Sequence, residues 1–466
     1  MIQIIRFFAA ILLSLGIIQA PVSYYTPLED RVYTDEELEV TPDSSKFVKV
    51  HAIDEGEDIY SPSENENFGY RYGPTILINA DGSIDAFFAA PGAVGEWDWI
   101  MYRHSSDGGK TWTDEKAILK PTPDSPDFYS CCDPGVIKIG EYYYLGYTST
   151  TDIGGVDNNV FVARSKTPDG PYEKWNGSGW GGKPVPIVDY TGDPTIFGAG
   201  EPSFVVKGDT LYIYYTWRDA GGVNQTRVAT ADANDENWPE TMEYKGVAID
   251  HSNYAAADSA DVKYVEDYGK FIAINTIQRF TTDSFIGCFV SDDGITFKES
   301  CVVKENISHC CHNAGISSRP DGHIRLEDGV YLAYAYGDIW AYWSTRMNKV
   351  ELSLIDEPDY SELDKENLKT PIVPLKKSWY VNYVGITSEE QVYEVSLTGK
   401  KVKPVILKAD IDFNLTKIRS DITYTDFDES IISFDGNKII PLKSGETFVT
   451  VHWNGYQDTF LIRVSD

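Results

Sequence analysis

Methionine and positive charge are both scarce in this sequence. Only 4 of its 466 residues are Met, whereas Tyr, Phe and Trp number 31, 20 and 11. Many aromatic residues with little Met favour strands and ring-stacking surfaces over helix bundles. Lys and Arg total 40 against 72 Asp and Glu, a formal net charge of −32. This charge argues against nucleic acid and anionic membranes as partners and fits a neutral ligand, although a surface that is acidic for solubility alone explains it equally well.

Long apolar runs are absent after residue 20, so we expect no membrane span there. The first residues, MIQIIRFFAAILLSLGIIQA, carry one Arg followed by an apolar run that ends at Ala20. That run is short for a membrane span and is typical of a signal peptide. We therefore expect residues 1–20 to be removed on export, with the mature chain secreted or held at the cell surface, outside the cytoplasm.

The CxxC spacing of many zinc sites is also absent. Cys288 and Cys301 flank the turn SDDGIT almost symmetrically, so we expect them to face each other across a hairpin. The other four cysteines form two adjacent pairs, Cys131–Cys132 and Cys310–Cys311. Because adjacent cysteines ligate one metal poorly, the pattern favours disulfides or buried thiols over a metal site.

Strong amphipathic helical stretches are missing, which argues against an α/β barrel, and a repeat of about 60 residues takes their place. Its units begin with strand pairs such as CDPGVIKIGEYYYLGYTST, GEPSFVVKGDTLYIYYTW and SADVKYVEDYGKFIAINT. Each of the five units offers about four short strands joined by Gly, Asp or Asn turns. The sequence therefore predicts an all-β fold: an N-terminal extension at residues 21–47, then a five-bladed β-propeller at residues 48–355.

The stretch SSDGGKTW at residues 105–112 matches the Asp-box of sialidases and other propellers, and SDDGITF is a weaker copy. We interpret both as structural. An Asp side chain can cap the turn between the outer strands of a blade while Trp112 packs beneath it. Such turns lie on the far rim of a blade, so they are poor catalytic candidates.

The C-terminal part has a different pattern. Residues 356–375 are acidic, contain Pro and lack periodicity, which is typical of a linker. Residues 376–466 alternate as strands with Gly turns and predict a small β-sandwich. Its ending resembles bacterial Ig-like domains, and the resemblance implies a spacer or a module that binds a cell-surface glycan.

Acidic residues return at the start of the first strand of several units. The aligned positions are Gly73-Pro74, Asp133-Pro134, Glu201-Pro202, Asp258-Ser259-Ala260-Asp261 and His312-Asn313. In a propeller these positions meet around one central funnel. Two carboxylates held over such a funnel, Asp133 and Glu201, can divide the roles of a protonated acid and an ionised partner. Cleavage of a glycosidic bond needs that pair, although each acid taken alone could merely cap a turn.

The D-P and E-P strand starts, the five units and the export signal resemble glycoside hydrolase family 43 and its relatives, families 32, 62, 68 and 117. The resemblance covers residues 50–355. It implies a blade-one Asp as base or nucleophile, a blade-two Asp that tunes the acid, and a blade-three Glu as the acid. By position, Asp133 and Glu201 match the second and third. Gly73 replaces the first, so the base must come from elsewhere: Asp261, ranked first, then Asp98, with Glu64 and Glu66 as further candidates.

Other polar and aromatic residues near strand ends are candidates for substrate binding. They are Arg71, Trp97, Asp98, Trp99, Arg103, Trp217, Asp258, His312, Asn313, Trp340 and Trp343. Aromatic rings can stack on sugars and arginines can bind hydroxyls, although many of these aromatics could instead pack between blades. Relatives often keep a His at the channel centre near a bound cation, so the resemblance allows a structural cation near His312. A buried structural His is the alternative, and we expect no required cofactor.

These patterns predict an exported glycoside hydrolase acting on polysaccharides or oligosaccharides. By resemblance, the sugar is an arabinosyl, xylosyl or other furanosyl unit. A sialidase-like hydrolase is a second possibility, but no inner-strand start supplies the three arginines that it needs. A third is a non-catalytic carbohydrate-binding or surface-adhesion propeller, which the loss of the blade-one acid at Gly73 would permit.

Overall fold

The computed structural model describes residues 40–62, 69–92, 97–150, 156–254, 256–339, 341–363, 386–388, 390–398, 403–405, 407–409, 413–414, 422–453 and 456–466. The expected signal peptide at residues 1–20 lies outside the described residues. So do most of the N-terminal extension and most of the predicted linker. In the described part of the chain, no helix is both long and apolar enough to cross a bilayer.

Five blades of mainly antiparallel strands follow one another along the chain after two N-terminal strands, β1 (Phe47–Ala52) and β2 (Glu57–Tyr60). The strands of blades two and three are hydrogen-bonded into one sheet. Blade one consists of β3 (Tyr72–Ile78), β4 (Ile84–Pro91), β5 (Asp98–Ser105) and β6 (Lys116–Leu119). Blade two consists of β7 (Cys132–Ile139), β8 (Tyr142–Thr150), β9 (Asn158–Ser165) and β10 (Glu173–Lys174). Blade three consists of β11 (Gly198–Lys207), β12 (Thr210–Asp219), β13 (Val223–Asp232) and β14 (Glu243–Asp250).

Blade four consists of β15 (Ala260–Val265), β16 (Lys270–Ile277), β17 (Phe285–Ser291) and β18 (Lys298–Val303). Blade five contains β19 (Cys311–Ile316), β21 (Val330–Ile339) and β22 (Tyr342–Ile355), while the short β20 (His323–Ile324) pairs with β15. Short 3-10 turns occupy Ala220–Gly222, Trp238–Thr241 and Leu326–Asp328. The first strands β3, β7, β11, β15 and β19 contact one another in that order, and β19 contacts β3. The ring is therefore closed, which confirms the predicted five-bladed propeller.

The N-terminal strand completes the last blade. β1 pairs antiparallel with β22 from Phe47 opposite Ile355 to Ala52 opposite Val350. Its alternate side chains, Val48, Val50 and Ala52, are fully buried, the period-two pattern of a strand with one face against the core. The start and end of the propeller are thus joined in one sheet, so the wheel cannot open without breaking that sheet.

The two Asp-box turns are structural, as predicted. Between β5 and β6, Asp107 accepts hydrogen bonds from the backbone N–H groups of Lys110 and Thr111 at 3.1 and 2.9 Å. Trp112 packs against the apolar cluster beneath that turn. Between β17 and β18, Asp293 accepts from the N–H groups two and three residues later, at 2.8 and 3.0 Å.

All six cysteines are buried free thiols. Cys288 and Cys301 lie directly opposite each other on β17 and β18, as their spacing predicted. Of the two sequence-based alternatives to a metal site, the structure shows buried thiols.

The C-terminal strands are β23 (Ile386–Ser388), β24 (Val392–Ser396), β25 (Lys403–Pro404), β26 (Leu407–Ala409), β27 (Phe413–Asn414), β28 (Thr423–Thr425), β29 (Ile432–Asp435), β30 (Lys438–Pro441), β31 (Gly445–Trp453) and β32 (Tyr456–Ser465). A sheet ordered β24-β32-β31-β28 and a sheet ordered β25-β30-β29 share one apolar core. Tyr129, in the loop before β7, belongs to that same core and Trp97 packs against it. Two sheets around one core are what a small β-sandwich requires; its Ig-like character and the domain boundaries stay predictions.

Candidate active site

Four of the five inner strands begin with the same backbone kink. Gly73, Asp133, Glu201 and Asn313 all adopt positive φ, at 60°, 50°, 54° and 45°. At each of them the pairing with the next strand shifts register, which marks a β-bulge. Bulges re-aim side chains and interrupt the ladder, and the Pro that follows three of these residues has no N–H to lose. The repeat seen in the sequence is therefore a repeated kink at the centre of the wheel.

Blade four departs from this rule. β15 pairs with β16 without a register shift from Ala260 onward, so Ser259 occupies the position of the kinked residues. A short hydroxyl side chain stands there instead of a carboxylate. As a result, the two acids that flank it, Asp258 and Asp261, lie in different surroundings, described below.

Three of the kinked residues, Asp133, Glu201 and Asn313, line a cavity of about 170 Å³, whereas Gly73 does not. Its lining is Tyr70, Tyr72, Trp97, Asp98, Ser130, Cys132, Asp133, Thr148, Thr150, Asn158, Phe197, Glu201, Arg279, Phe280, His312, Asn313, Ala341 and Trp343. Aromatic side chains dominate the walls, and three carboxyl groups and one guanidinium supply most of the charge. Apolar walls with a few convergent polar groups are the usual form of a small-molecule site.

Glu201 is one of three acids in this cavity whose pKa is raised. Its side chain is buried, the Asn313 amide lies 3.3 Å from Oε1, and Oε2 has no hydrogen-bond partner. Burial, reinforced by the negative charges of Asp258 and Asp133, raises the pKa of Glu201 to about 8. The raised pKa favours the protonated carboxyl at neutral pH. A protonated carboxyl in this state can donate to a leaving oxygen.

Asp133 lies one blade earlier and lines the same cavity. Its pKa is raised to about 7, mainly by burial; hydrogen bonds from the Cys132 thiol and the Thr148 hydroxyl oppose this shift, and the charges of Asp98 and Asp258 add to it. The Thr148 hydroxyl also accepts the backbone N–H of Glu201 at 2.6 Å, so it connects the two acids. The sequence predicted that Asp133 and Glu201 share one pit, and the structure places them there.

Asp98 also faces the cavity, held by hydroxyl groups. Tyr70, Tyr72 and Ser130 donate to its carboxylate at 2.5, 3.0 and 3.3 Å. Burial nevertheless raises the pKa of Asp98 to about 7, against the effect of these three donors. Both of its oxygens are engaged, which fixes the carboxylate in place.

Asp258 is buried behind the cavity and carries a negative charge. Arg279 donates to it at 2.7 Å, Arg218 lies at 3.8 Å, and the backbone N–H of Asn313 donates at 2.9 Å. Burial alone would raise the pKa of Asp258, but the two guanidinium groups lower it to about 2. This ionised group is the largest charge contribution to the raised pKa of Glu201.

Asp261, the base that the sequence ranked first, lies elsewhere. It lines a smaller cavity of about 30 Å³ in the channel, to which Asp133 and Glu201 also contribute, but it does not line the larger one. Its carboxylate accepts from the Ser203 hydroxyl at 2.8 Å, from the backbone N–H of Ile316 at 2.9 Å and from Lys263. These contacts tie neighbouring blades together, which explains an acid at this position without a catalytic role.

His312 lines the cavity between the rings of Phe280 and Trp343, at centroid distances of 4.4 and 4.3 Å. Burial lowers its pKa to about 3, so the imidazole is neutral.

Within the described part of the chain, the only cluster of His, Cys or acidic groups with metal-ligand spacing joins Glu266, Asp321 and His323. His323 there contacts Glu266 at 2.9 Å through Nδ1 and the Val206 carbonyl through Nε2, so both of its nitrogens are engaged.

Four predicted binding residues lie away from the cavity. Arg71 pairs with Glu115 at 2.5 Å, and Arg103 donates to the backbone carbonyls of Thr113 and Ile59. The two tryptophans lie under cations: Trp99 under Lys120 and Trp217 under Arg227. The structure thus gives all four packing contacts within and between blades. Glu64, Glu66 and Trp340 lie outside the described residues.

Several cavity residues were not predicted from the sequence. Tyr70 and Tyr72 precede the blade-one kink and donate to Asp98, and Arg279 holds Asp258. The tyrosines had a usable signal, because residues i and i+2 share one face of an extended segment. No sequence signal pointed to Arg279, because its contact with Asp258 depends on the path of the loop after β16.

No protein-family model matches the sequence, and no curated protein matches it. The fold is similar to solved structures of glycoside hydrolases. One is a family 62 α-L-arabinofuranosidase from Coprinopsis cinerea, at 11% identity, 66% of this chain, 98% of that chain and a TM-score of 0.46. Another is a family 117 glycoside hydrolase from Zobellia galactanivorans, with 14% identity, coverage of 66% of this chain and 90% of that chain, and a TM-score of 0.45. A third is an endo-arabinase from Bacteroides thetaiotaomicron, with 16% identity, coverage of 63% of this chain and 100% of that chain, and a TM-score of 0.45. Families 62 and 117 are among those that the sequence resembled.

Proposed function

We propose that this chain is a glycoside hydrolase in which Glu201 protonates the leaving oxygen. The observation that carries the proposal is the state of Glu201: a buried carboxyl with an unpartnered Oε2 in an aromatic cavity and a pKa raised to about 8. Glycosidic cleavage needs a carboxylic acid that is still protonated at the working pH, close to a second carboxyl that can ionise. Asp133 is that second carboxyl.

The cavity favours a neutral sugar over a charged ligand. Tyr72, Trp97, Phe280 and Trp343 offer ring faces and edges, and sugar rings pack on such surfaces. At about 170 Å³ the cavity is smaller than the roughly 300–1,000 Å³ that holds drug-sized ligands. We therefore propose that it takes one sugar unit of a polysaccharide or oligosaccharide. An arabinosyl, xylosyl or other furanosyl unit is the proposal that follows from the sequence resemblance.

A sialidase-like reaction fits the contacts less well. Arg279 reaches the cavity and Arg218 lies behind it, but both guanidinium groups face the buried carboxylate of Asp258. A substrate carboxylate would compete with that pair.

Two further parts of the proposal come from the sequence. The N-terminal residues direct export of the chain, and the C-terminal strands bind a cell-surface glycan.

The proposal is tested by incubating the full mature chain with a panel of aryl glycosides, arabinans, xylans and mixed plant and microbial polysaccharides. Released sugar is measured by chromatography, and binding to the same ligands is measured by calorimetry. Release from at least one substrate is the expected result. Binding without release from any ligand would instead identify a carbohydrate-binding propeller, the alternative left open by Gly73.

A pH prediction follows from the charge behind Glu201. Activity should fall as pH rises through the pKa of the acid, because the proton needed by the leaving group is lost. Asp258→Asn removes a negative charge that raises the pKa of Glu201 and leaves Arg218 and Arg279, which lower it. The alkaline limb of kcat/KM should therefore move to lower pH, by about 1–2 units.

The control for that shift is Asp169→Asn, which removes an acid that pairs with Lys116 at the protein surface. Its alkaline limb should match the wild type. Circular dichroism of Asp258→Asn across the pH range checks that the variant stays folded, so that a moved limb reports the acid and not unfolding. An unchanged or raised limb in Asp258→Asn would show that Asp258 does not tune the acid.

A further inference from the structure

We propose that Asp133 is the general base of this reaction and that Gly73 is the residue that makes room for it. The inference rests on the proposed hydrolase function and assigns to this site the one role that the sequence left open. It also changes the role that the sequence resemblance implied for Asp133, which was to tune the acid from blade two. Three observations carry it: the space at Gly73, the contacts of the competing acids and the pairing of Asp133 with Glu201.

The space at Gly73 lies against Asp133. A Cβ placed on Gly73 would be 3.3 Å from the Asp133 Cα and 3.5 Å from its Oδ1, with the Pro134 ring at 3.7 Å. A carboxylate at position 73 would therefore begin beside the carboxylate of Asp133 and repel it. Thr75 on blade one also donates to the Pro134 carbonyl at 2.6 Å, which fixes the two kinks against each other. With Gly at position 73, no second carboxylate competes with Asp133 for the space between these two strand starts.

The two other candidate acids that the structure describes, Asp98 and Asp261, are occupied. Asp98 is fixed by three hydroxyl donors, and Asp261 is held in the channel by a serine, a lysine and a backbone N–H. A water molecule could reach either of these carboxylates only by displacing a donor that already occupies its oxygens, so neither is placed to take a proton from that water. Asp133 interacts with the thiol of Cys132 and the hydroxyl of Thr148, and unlike Asp98 and Asp261 it lines both cavities.

Asp133 and Glu201 are also matched as a pair. They stand on adjacent kinked strands, they line the same cavity, and each is near enough to Asp258 to sense its charge. The negative charge of Asp133 raises the pKa of Glu201, so an ionised Asp133 holds the proton on Glu201. An ionised Asp133 beside a protonated Glu201 gives a base and an acid in one site.

The reaction step balances with water as the co-reactant. The Asp133 carboxylate takes one proton from a water molecule whose oxygen forms a bond to the anomeric carbon. The carbon–oxygen bond of the glycoside breaks, and its electron pair stays on the leaving oxygen, which receives the proton of Glu201. The products are a free sugar and an alcohol, with Asp133 protonated and Glu201 ionised. Exchange of one proton through solvent restores both groups.

Chemical rescue by azide tests this assignment. Azide attacks the anomeric carbon without losing a proton, so it replaces a missing base but not a missing acid. The variant is Asp133→Gly, because φ at this position is positive and Gly tolerates it. With an activated aryl glycoside of the sugar that the wild type cleaves, we expect kcat about 10²- to 10⁴-fold lower. Azide should restore at least about tenfold of it and yield a glycosyl azide.

Asp98→Ala is the matched comparison, since it removes a second carboxylate from the same cavity. It should lose activity without forming any glycosyl azide. Asp133→Asn, which keeps the side-chain shape, should reproduce the loss if Asp133→Gly folds poorly. Folding of each variant is checked by circular dichroism and sugar binding by calorimetry.

The outcomes separate the two proposals. Glycosyl azide from Asp98→Ala but not from Asp133→Gly would overturn the assignment of the base and leave the hydrolase function intact. A wild-type product that retains the anomeric configuration, followed by proton magnetic resonance, would also overturn it, because attack by an activated water inverts that centre. Failure of the wild type to release sugar from any glycoside would remove the proposed function itself.

Discussion

Glu201→Gln should lower kcat on glycosides with unactivated leaving groups by about 10²- to 10⁴-fold. The amide keeps the size of the side chain and its contact with Asn313, but it has no acidic proton to give to the leaving oxygen. On dinitrophenyl glycosides, whose leaving group needs no proton, the loss should be far smaller. The measurement is a plot of log kcat against leaving-group pKa, which should be steeper for the variant than for the wild type.

Glu115→Gln is the control for this substitution. Glu115 pairs with Arg71 outside the cavity, so the same chemical change there should leave the leaving-group plot unaltered. The alkaline limb of the pH profile should also disappear in Glu201→Gln, because the group that titrates near pH 8 is gone. Equal losses on activated and unactivated substrates would argue that Glu201 binds the sugar and does not protonate the leaving group.

Much of the architecture could be predicted from spacing, since each blade repeats the same strands and turns. The acid-Pro strand starts at Asp133 and Glu201 were visible for a physical reason: each is a left-handed residue at a bulge followed by a residue without an N–H. The Asp-box turns were readable as well, because the hydrogen bonds of Asp107 join residues four or fewer apart. Features whose hydrogen bonds join residues close in the chain can therefore be predicted from short sequence motifs.

The rest of the site depends on contacts between distant residues. Asp258 and Asp261 are separated by two positions, yet one lies behind the main cavity with two arginines and the other lies in the channel. Blade four lacks the bulge of the other blades, and this absence decides which acid faces which surroundings. The sequence around Asp258 and Asp261 gives no sign that this bulge is missing. Charge partners such as Arg218 and Arg279 come from other strands and loops, so the electrostatics of Glu201 had to be seen in three dimensions.

Asp127→Ala should destabilise the propeller by about 3–5 kcal/mol, the largest stability effect that we expect from a single substitution here. Asp127 is fully buried in the loop that leads to Asp133, and Lys174 of β10 contacts it with a side chain only 8% exposed. Its carboxylate also accepts from Ser125 at 2.6 Å and from Tyr147 at 2.9 Å. Removing the carboxylate leaves a buried ammonium without its counter-charge, which costs far more than the pair contributes.

Two further variants test whether the buried charge of Lys174 causes this loss: one removes an acid from an exposed ion pair, and the other removes the buried charge itself. Asp169 pairs with Lys116 at 2.6 Å, but the two side chains are 41% and 53% exposed, so Asp169→Asn should change the free energy of unfolding by less than about 1 kcal/mol. Adding Lys174→Met to Asp127→Ala removes the stranded charge and should recover part of the loss, as measured by urea denaturation. A double variant as unstable as Asp127→Ala would assign the loss to the hydrogen bonds of Ser125 and Tyr147 and not to the buried ion pair.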